Sequence, residues 1–169
     1  KIQKIPSTVT DEVTALKSKS VDSIWIFYGW AGVKTELEQL DTDYFAFADI
    51  DPVFDYYTPV IIAGNSFLEK RPEAAKAFMK AASRGYEYAI ENPEAAADIL
   101  CEAAPELDRN LVVASQKYLA DKYQAEAQQW GYIDSKRWNA FYEWVNKNEL
   151  TEGTVPLDYG FSNNYLPTE

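Results

Sequence analysis

Histidine is absent from this chain and cysteine occurs once. The first absence removes the commonest general base and the commonest metal ligand together. The lone Cys101 forms no internal disulfide and supplies no thiol pair for zinc or an iron–sulfur cluster. It follows Ile99 and Leu100 on an alanine-rich helical stretch, and we read it as a small core residue rather than a nucleophile. So few thiols are tolerated on either side of a membrane, which leaves the redox compartment open. No apolar run is long enough to cross a bilayer. The first residues, Lys1-Ile2-Gln3-Lys4-Ile5-Pro6, hold neither an initiator methionine nor the apolar centre of a leader. They read as a strand already under way, so either a leader has been removed or the chain is part of a longer protein.

Positive charge is also scarce. Lys and Arg number 16 against 27 Asp and Glu, a net charge of −11, and the basic residues cluster only at Lys17/Lys19 and Lys136-Arg137. Binding through counterion release needs clustered cations, so nucleic acid is excluded as a partner, and an anionic membrane surface is disfavoured alike. What remains is ordinary in bulk and unusual in one respect. A length of 169 residues suits one domain or parts of two and buries a real core. Aromatic residues make up 15%, with 12 Tyr and 5 Trp, and such amphipathic rings suit clefts for polar ligands.

The rings concentrate at Ile24-Trp25-Ile26-Phe27-Tyr28-Gly29-Trp30-Ala31-Gly32. An apolar strand runs into a glycine-punctuated turn, and a helix with Val33, Leu37 and Leu40 on its inner face follows. In open α/β sheets small ligands bind where strand ends meet helix starts. Phe27, Tyr28 and Trp30 therefore read as a stacking platform, with free N–H groups at the helix start to meet an acceptor. The competing reading of any one ring is core.

Along the rest of the chain, short strands are expected at Ile2–Ile5, Val21–Tyr28 and Tyr44–Ala48, and a buried one at Val60–Ala63. Asp11–Lys19 reads as a helix, with Val13 and Leu16 inward and Thr10 as its cap. Gly64-Asn65 supplies a turn and a cap. Pro72 opens a helix with Ala75, Phe78, Met79, Ala82, Tyr86 and Ile90 on one face. Asn92-Pro93 starts the next, which runs towards Pro105. Asp108 caps a third, with Leu111, Val112, Ser115 and Leu119 inward, and Asp134 a fourth, with the stripe Trp138, Phe141, Tyr142 and Val145. The tail from Gly153 is irregular. Asp49, Asp51 and Asp55 are spaced for paired-carboxylate hydrolysis, yet in a loop such residues are more often turn formers and caps. Glu36, Glu38 and Glu69 read as surface charge.

The ordered series is more specific than any one motif. It runs from the aromatic turn through Asp55-Tyr56-Tyr57-Thr58-Pro59-Val60-Ile61-Ile62 and Gly85-Tyr86-Glu87-Tyr88-Ala89-Ile90-Glu91-Asn92-Pro93-Glu94. It continues through Ala104-Pro105-Glu106-Leu107-Asp108, Trp130-Gly131, Trp138 and Trp144 to Asn164-Tyr165-Leu166-Pro167. This series resembles the extracytoplasmic substrate-binding proteins of ABC importers for thiamine pyrimidine precursors, the NMT/THI-like family. The resemblance implies an α/β periplasmic-binding-protein type II fold, present here in part. Residues 1–54 would belong to the second lobe. Residues 55–169 would hold the crossover, a returning first-lobe strand and the C-terminal helices, with the N-terminal segment of the first lobe missing.

The same resemblance implies a non-enzymatic protein that binds a small ring-containing solute in an inter-lobe cleft and hands it to an ABC permease. It would work outside the cytoplasm, periplasmic or lipid-anchored. Ligand contacts are expected from Phe27, Tyr28 and Trp30, and from Asp55, Tyr56 and Tyr57 at the crossover, with no cofactor, metal or catalytic residue. The runner-up is the same fold with a riboflavin-like, sulfonate or sugar ligand. A third reading is a pyrimidine-synthase-like enzyme, whose histidine and cysteine-rich motif have no counterpart here. Two positions depart from the family pattern. Ala31 stands where an acidic residue often accepts from a pyrimidine amino group. Asn148-Glu149-Leu150 replaces Asn-Gly-Leu, and Asn148 is expected to take the left-handed conformation that ends the helix.

Overall fold

Proline and acidic caps set the helix starts. The computed structural model describes residues 2–4 and 11–168. Its α-helices are α1 (Glu12–Lys17), α2 (Val33–Leu37), α3 (Phe47–Ile50), α4 (Asn65–Lys70), α5 (Pro72–Glu91), α6 (Pro93–Ala103), α7 (Arg109–Leu119) and α8 (Ser135–Lys147). A π turn, Tyr28–Gly32, runs into α2, and a 3-10 turn spans Pro52–Phe54. Asp108 and Asp134 cap α7 and α8 as expected, accepting from Asn110 N–H at 2.8 Å and Arg137 N–H at 2.9 Å. Thr10, the expected cap of α1, lies outside the described residues. Asp11 does that work, accepting from Thr14 N–H at 2.7 Å. Asn92 precedes Pro93 without capping α6, and its amide donates backwards to Tyr88 O at 3.3 Å.

The sheet half of the α/β expectation is not met among the described residues. No β-ladder forms among the described residues. Ile5 lies outside them, and residues 2–4 are exposed and unpaired as strand. The stretches before Tyr28 and before Asn65 carry no regular structure, while Phe47 and Ala48 coil into α3 instead of extending. β-branched and aromatic runs record a preference for extended backbone. A strand exists only when a neighbour takes up its N–H and C=O groups, and sequence period says nothing about where that neighbour comes from. Val60–Ala63, expected to be buried, is exposed throughout, with Ile62 87% exposed. Two helix faces also differ from expectation, since Leu37 is 50% and Phe78 59% exposed.

The chain folds as two units. The first combines Lys1–Asp43 with Tyr88–Tyr123. Its core is small-residue packing: Val13, Ala15, Ala31, Val33, Ala97, Leu111 and Val112 are buried. There α6 packs on α7, and both the π turn and α2 pack on α7. An ionic strap joins α1 to α2, with Lys34 bound to Asp11 and Lys17 to Glu38.

The second unit combines Tyr44–Glu87 with Gln124–Glu169. Trp130 is buried against Tyr86, their rings stacked at 4.3 Å. The irregular tail is fastened by side-chain amides that stand in for a strand. Asn146 of α8 exchanges bonds with Val155, accepting from its N–H at 2.7 Å and donating to its C=O at 2.8 Å. Asn163 does the same with Ile133 N–H at 3.0 Å and C=O at 2.9 Å. At the end of α8 the left-handed residue is Glu149, at φ +52°, while Asn148 keeps φ −94°. The left-handed turn thus falls where the family pattern has glycine, and Asn148 does not supply it.

Two outcomes follow from these observations. An extended apolar run with open backbone recruits other chains. Light scattering on the purified chain is expected to show self-association, and Ile62→Lys to shift it towards monomer; a monodisperse native monomer contradicts this. The strap is acid-sensitive. Hydrogen bonds from the Lys34 ammonium and then from Thr14 N–H lower the Asp11 carboxyl from 3.8 to about 2. The folded state therefore binds this proton more weakly than the unfolded one. The strap's contribution is complete above about pH 4 and disappears as pH falls towards about 2. Asp11→Asn is expected to flatten the acid limb of stability in that window, read from urea midpoints at several pH values.

Candidate functional site

The aromatic turn is built from behind. Phe27 enters it extended, at φ −90° and ψ 117°, and its carbonyl accepts from both Trp30 N–H and Ala31 N–H at 3.1 Å. Those two donors, expected to be free for a ligand, are spent on the turn itself. Glycine permits two close side-chain approaches here. A Cβ on Gly29 would stand 2.7 Å from Leu119 Cδ2, and one on Gly32 would stand 2.5 Å from the Tyr28 ring. The close approach lets Ser115 Oγ, on the buried face of α7, donate to Gly29 O at 2.5 Å. Tyr28 lies against Tyr118 with ring centres 5.2 Å apart, and its hydroxyl donates to Glu36.

With Tyr28 and the backbone fixed in this way, Phe27 and Trp30 remain 55% and 39% exposed. Trp25 meets Phe27 edge-on at 4.5 Å and extends the exposed aromatic surface. Sequence reasoning missed Trp25 and Tyr118 as its supports. Ser115 was visible as an inward position, but its bond to Gly29 was not. Ala31, in the place often held by an acid, is buried.

Asp55, Tyr56 and Tyr57 belong to the second unit and are drawn onto α8. Arg137 Nε donates to Asp55 O at 2.6 Å, and Nη2 to Asp55 Oδ1 at 2.5 Å. Its guanidinium also lies 4.5 Å from the Tyr57 ring centre, and Nη1 is 3.6 Å from Glu126 Oε1. Tyr57 Oη accepts from Asp134 N–H at 2.9 Å, the residue that caps α8. Tyr56 packs on Phe141 at 4.5 Å, and Tyr57 lies nearly parallel to Trp138 at 6.5 Å. A cavity of about 260 Å³ opens between this segment and α8, lined by Tyr56, Tyr57, Thr58, Trp138, Phe141 and Tyr142.

The spacing of Trp138, Phe141 and Tyr142 signalled one shared helix face, and the structure shows that face half-buried under the Tyr56-Tyr57 segment. Nothing in the sequence linked Arg137 to Asp55 across 82 positions. The loop carboxylates have structural work: Asp51 accepts from Val53 N–H at 3.0 Å, and Asp55 is paired with Arg137.

Comparison with known proteins is consistent with these features. The family described as NMT1/THI5 like matches residues 1–96, which include the aromatic turn and the Asp55-Tyr56-Tyr57 segment. A formylaminopyrimidine-binding protein of Halalkalibacterium halodurans is 29% identical over 126 residues, covering 72% of this chain. The chain spans only 38% of the length of that relative.

Arg137 is the fastening of the second ring cluster, through a forked contact that a lysine cannot reproduce. The site is partly exposed, which keeps the expected effect modest. Arg137→Ala is expected to lower stability by about 1–2 kcal/mol and Arg137→Lys by about half as much. Urea unfolding followed by tryptophan fluorescence measures both, and equal midpoints for native and Ala chains contradict the fastening.

Proposed function

The chain belongs to the NMT1/THI5-like family, and from that premise we propose that it is the ring-contacting portion of a solute-binding protein. Its solute would be a small neutral aromatic molecule of the thiamine-pyrimidine kind, a reading supported by the relative's name, which gives formylaminopyrimidine as what that protein binds. The observation that carries this reading is the clamped turn, which holds Tyr28 from behind and leaves Phe27 and Trp30 with open faces. Phe27 and Trp30 would stack on the solute, and Tyr28 would hold their backbone in place. Within the second unit, Tyr56 and Tyr57 would offer a separate aromatic surface to such a ring, on a segment that Asp55 anchors to Arg137. Each offset stack contributes about 0.5–1.5 kcal/mol beyond area burial. Two or three stacks with a few polar bonds reach micromolar affinity, about −8 kcal/mol.

The role is capture and release without chemistry. An ABC permease would receive the solute outside the cytoplasm, on a periplasmic-binding-protein type II scaffold completed by chain beyond these residues. No helix among the described residues is long and apolar enough to cross a membrane. A sulfonate ligand calls for an uncompensated cation beside the rings, and Arg137 is already engaged by Asp55 and Glu126. That observation favours a neutral ring over the sulfonate alternative.

Calorimetry with a formylaminopyrimidine tests the assignment. Trp30→Ala is expected to weaken binding at least about tenfold, some 1.4 kcal/mol, with the unfolding midpoint unchanged. Unaltered affinity in a folded Trp30→Ala chain rejects it, and turnover of the solute rejects the non-enzymatic role.

A further inference from the structure

Between α8 and its buried end, the tail forms an arch. Residues 151–160 run back along α8, and all of them except Val155 are exposed. Both feet are fixed. At the first, Leu150 N–H donates to Val145 O at 3.2 Å. At the second, Asn163 is bonded to Ile133, Phe161 packs on Trp138 with ring centres 5.3 Å apart, and Leu166 is buried.

Between the feet, α8 holds the arch through side chains. Asn146 exchanges two bonds with the Val155 peptide, at 2.7 and 2.8 Å. Asn139, two helical turns earlier and so on the same face, accepts from Asp158 N–H and donates to its carboxylate, both at 2.8 Å. The Trp138 indole N–H donates to Tyr159 O at 3.1 Å. Little apolar surface is buried along with these bonds. Leu157 and Tyr159 are 44% and 62% exposed. The start of the arch borders a polar cavity of about 520 Å³, lined by Asn146, Glu149, Thr151, Glu152, Gly153 and Thr154.

A segment held by a few exposed polar bonds opens at a small fraction of the cost of global unfolding. Its backbone adds to that tendency. Asp158 is held at φ +56°, in the left-handed region that penalises a residue with a Cβ, and Gly160 at φ +83° provides a joint beside it. The far end of the arch lies over the edge of the α8 rings. A Cβ on Gly160 would stand 3.1 Å from Tyr142 Oη, and the Trp138 indole is tied to the arch directly.

We propose that residues 151–160 are a gate on α8, latched by Asn139 and Asn146. The segment opens as one unit while α8 and the tail anchored at Asn163 and Leu166 stay folded. Opening bares the Trp138 indole N–H and the Tyr142 hydroxyl. The inference does not depend on which solute the chain takes.

Native-state hydrogen exchange on the 169-residue chain, read amide by amide by NMR, tests the gate. The Val155 and Asp158 N–H groups, each bonded to an asparagine side chain, are expected to share one opening equilibrium. After correction for intrinsic rates, both exchange at least about tenfold faster than the α8 amides of Phe141 and Val145. Asn146→Ala is expected to speed exchange at Asp158, with which Asn146 shares no bond, about threefold or more, and to leave Phe141 and Val145 unchanged. Asn139→Ala is the reciprocal test, read at Val155.

Val155 and Asp158 amides that exchange as slowly as α8 overturn the gate, because the arch then opens only with the whole fold. Variants that leave the distant arch amide unchanged overturn the single opening unit. Variants that also loosen Phe141 and Val145, or that fail to fold, make the arch part of the core and overturn the gate as well.

Discussion

The contact that organises the aromatic turn is the approach of its backbone to α7 at Gly29. The Leu119 side chain lies 2.7 Å from where a Cβ would stand, and the Ser115 hydroxyl crosses the gap to the Gly29 carbonyl at 2.5 Å. Tyr28 fills the second tight place, against Gly32 and Tyr118, so the backbone under Phe27 and Trp30 is determined from behind. Exposed rings on a mobile loop would collapse onto the nearest apolar surface. Holding the backbone is consistent with the exposed faces of both rings, and in the proposed role it would reduce the ordering cost of binding.

The second unit solves the same problem with charge in place of close packing. Arg137 takes the Asp55 carbonyl and carboxylate together and lies over Tyr57, so one side chain fixes a three-residue segment. Arginine suits this because its planar fork matches a carboxylate while its face stacks on a ring. The tail is handled by asparagines whose amides copy a peptide group, as Asn146 does for Val155 and Asn163 for Ile133. Backbone without a ladder still has its hydrogen bonds to place, and short polar side chains supply part of that need.

How much of this was legible in the sequence depended on the range of the interaction. Helix starts at Asp108 and Asp134 rest on bonds within three residues and stand where the capping pattern put them, whereas α6 opens at Pro93 without a cap bond from Asn92. The inward face of α7 was equally readable, because burial repeats with the helical period. Val60–Ala63 reads as a buried strand from its residues alone and is exposed. Its burial depends on neighbours that its own sequence does not encode. Phe27, Tyr28 and Trp30 could be picked out together because they are adjacent. Nothing local ties Asp55 to Arg137, or Tyr56 to Phe141, and the α8 half of that cluster reads from the sequence only as one helix stripe. The left-handed position at the end of α8 was placed one residue early, at Asn148 instead of Glu149.

Charge distribution ties these features together. The chain carries a net charge of −11, yet the cationic group beside the second ring cluster, Arg137, is matched by Asp55 and Glu126. In the aromatic turn Ala31 is buried and uncharged, and Glu36 takes the Tyr28 hydroxyl. An acidic surface repels anions at long range, an effect that salt screens within about 8–10 Å. On the proposed reading, selection at contact distance would fall to the exposed ring faces, which reward flatness over charge. Without an acid at position 31, the amino group of an aminopyrimidine has no carboxylate partner in the turn itself. Recognition of such a ring would rest on stacking and on its acceptor edge. On the proposed reading, that balance would give tolerance for related neutral rings, since stacking discriminates weakly among flat molecules and a missing hydrogen-bond partner discriminates strongly.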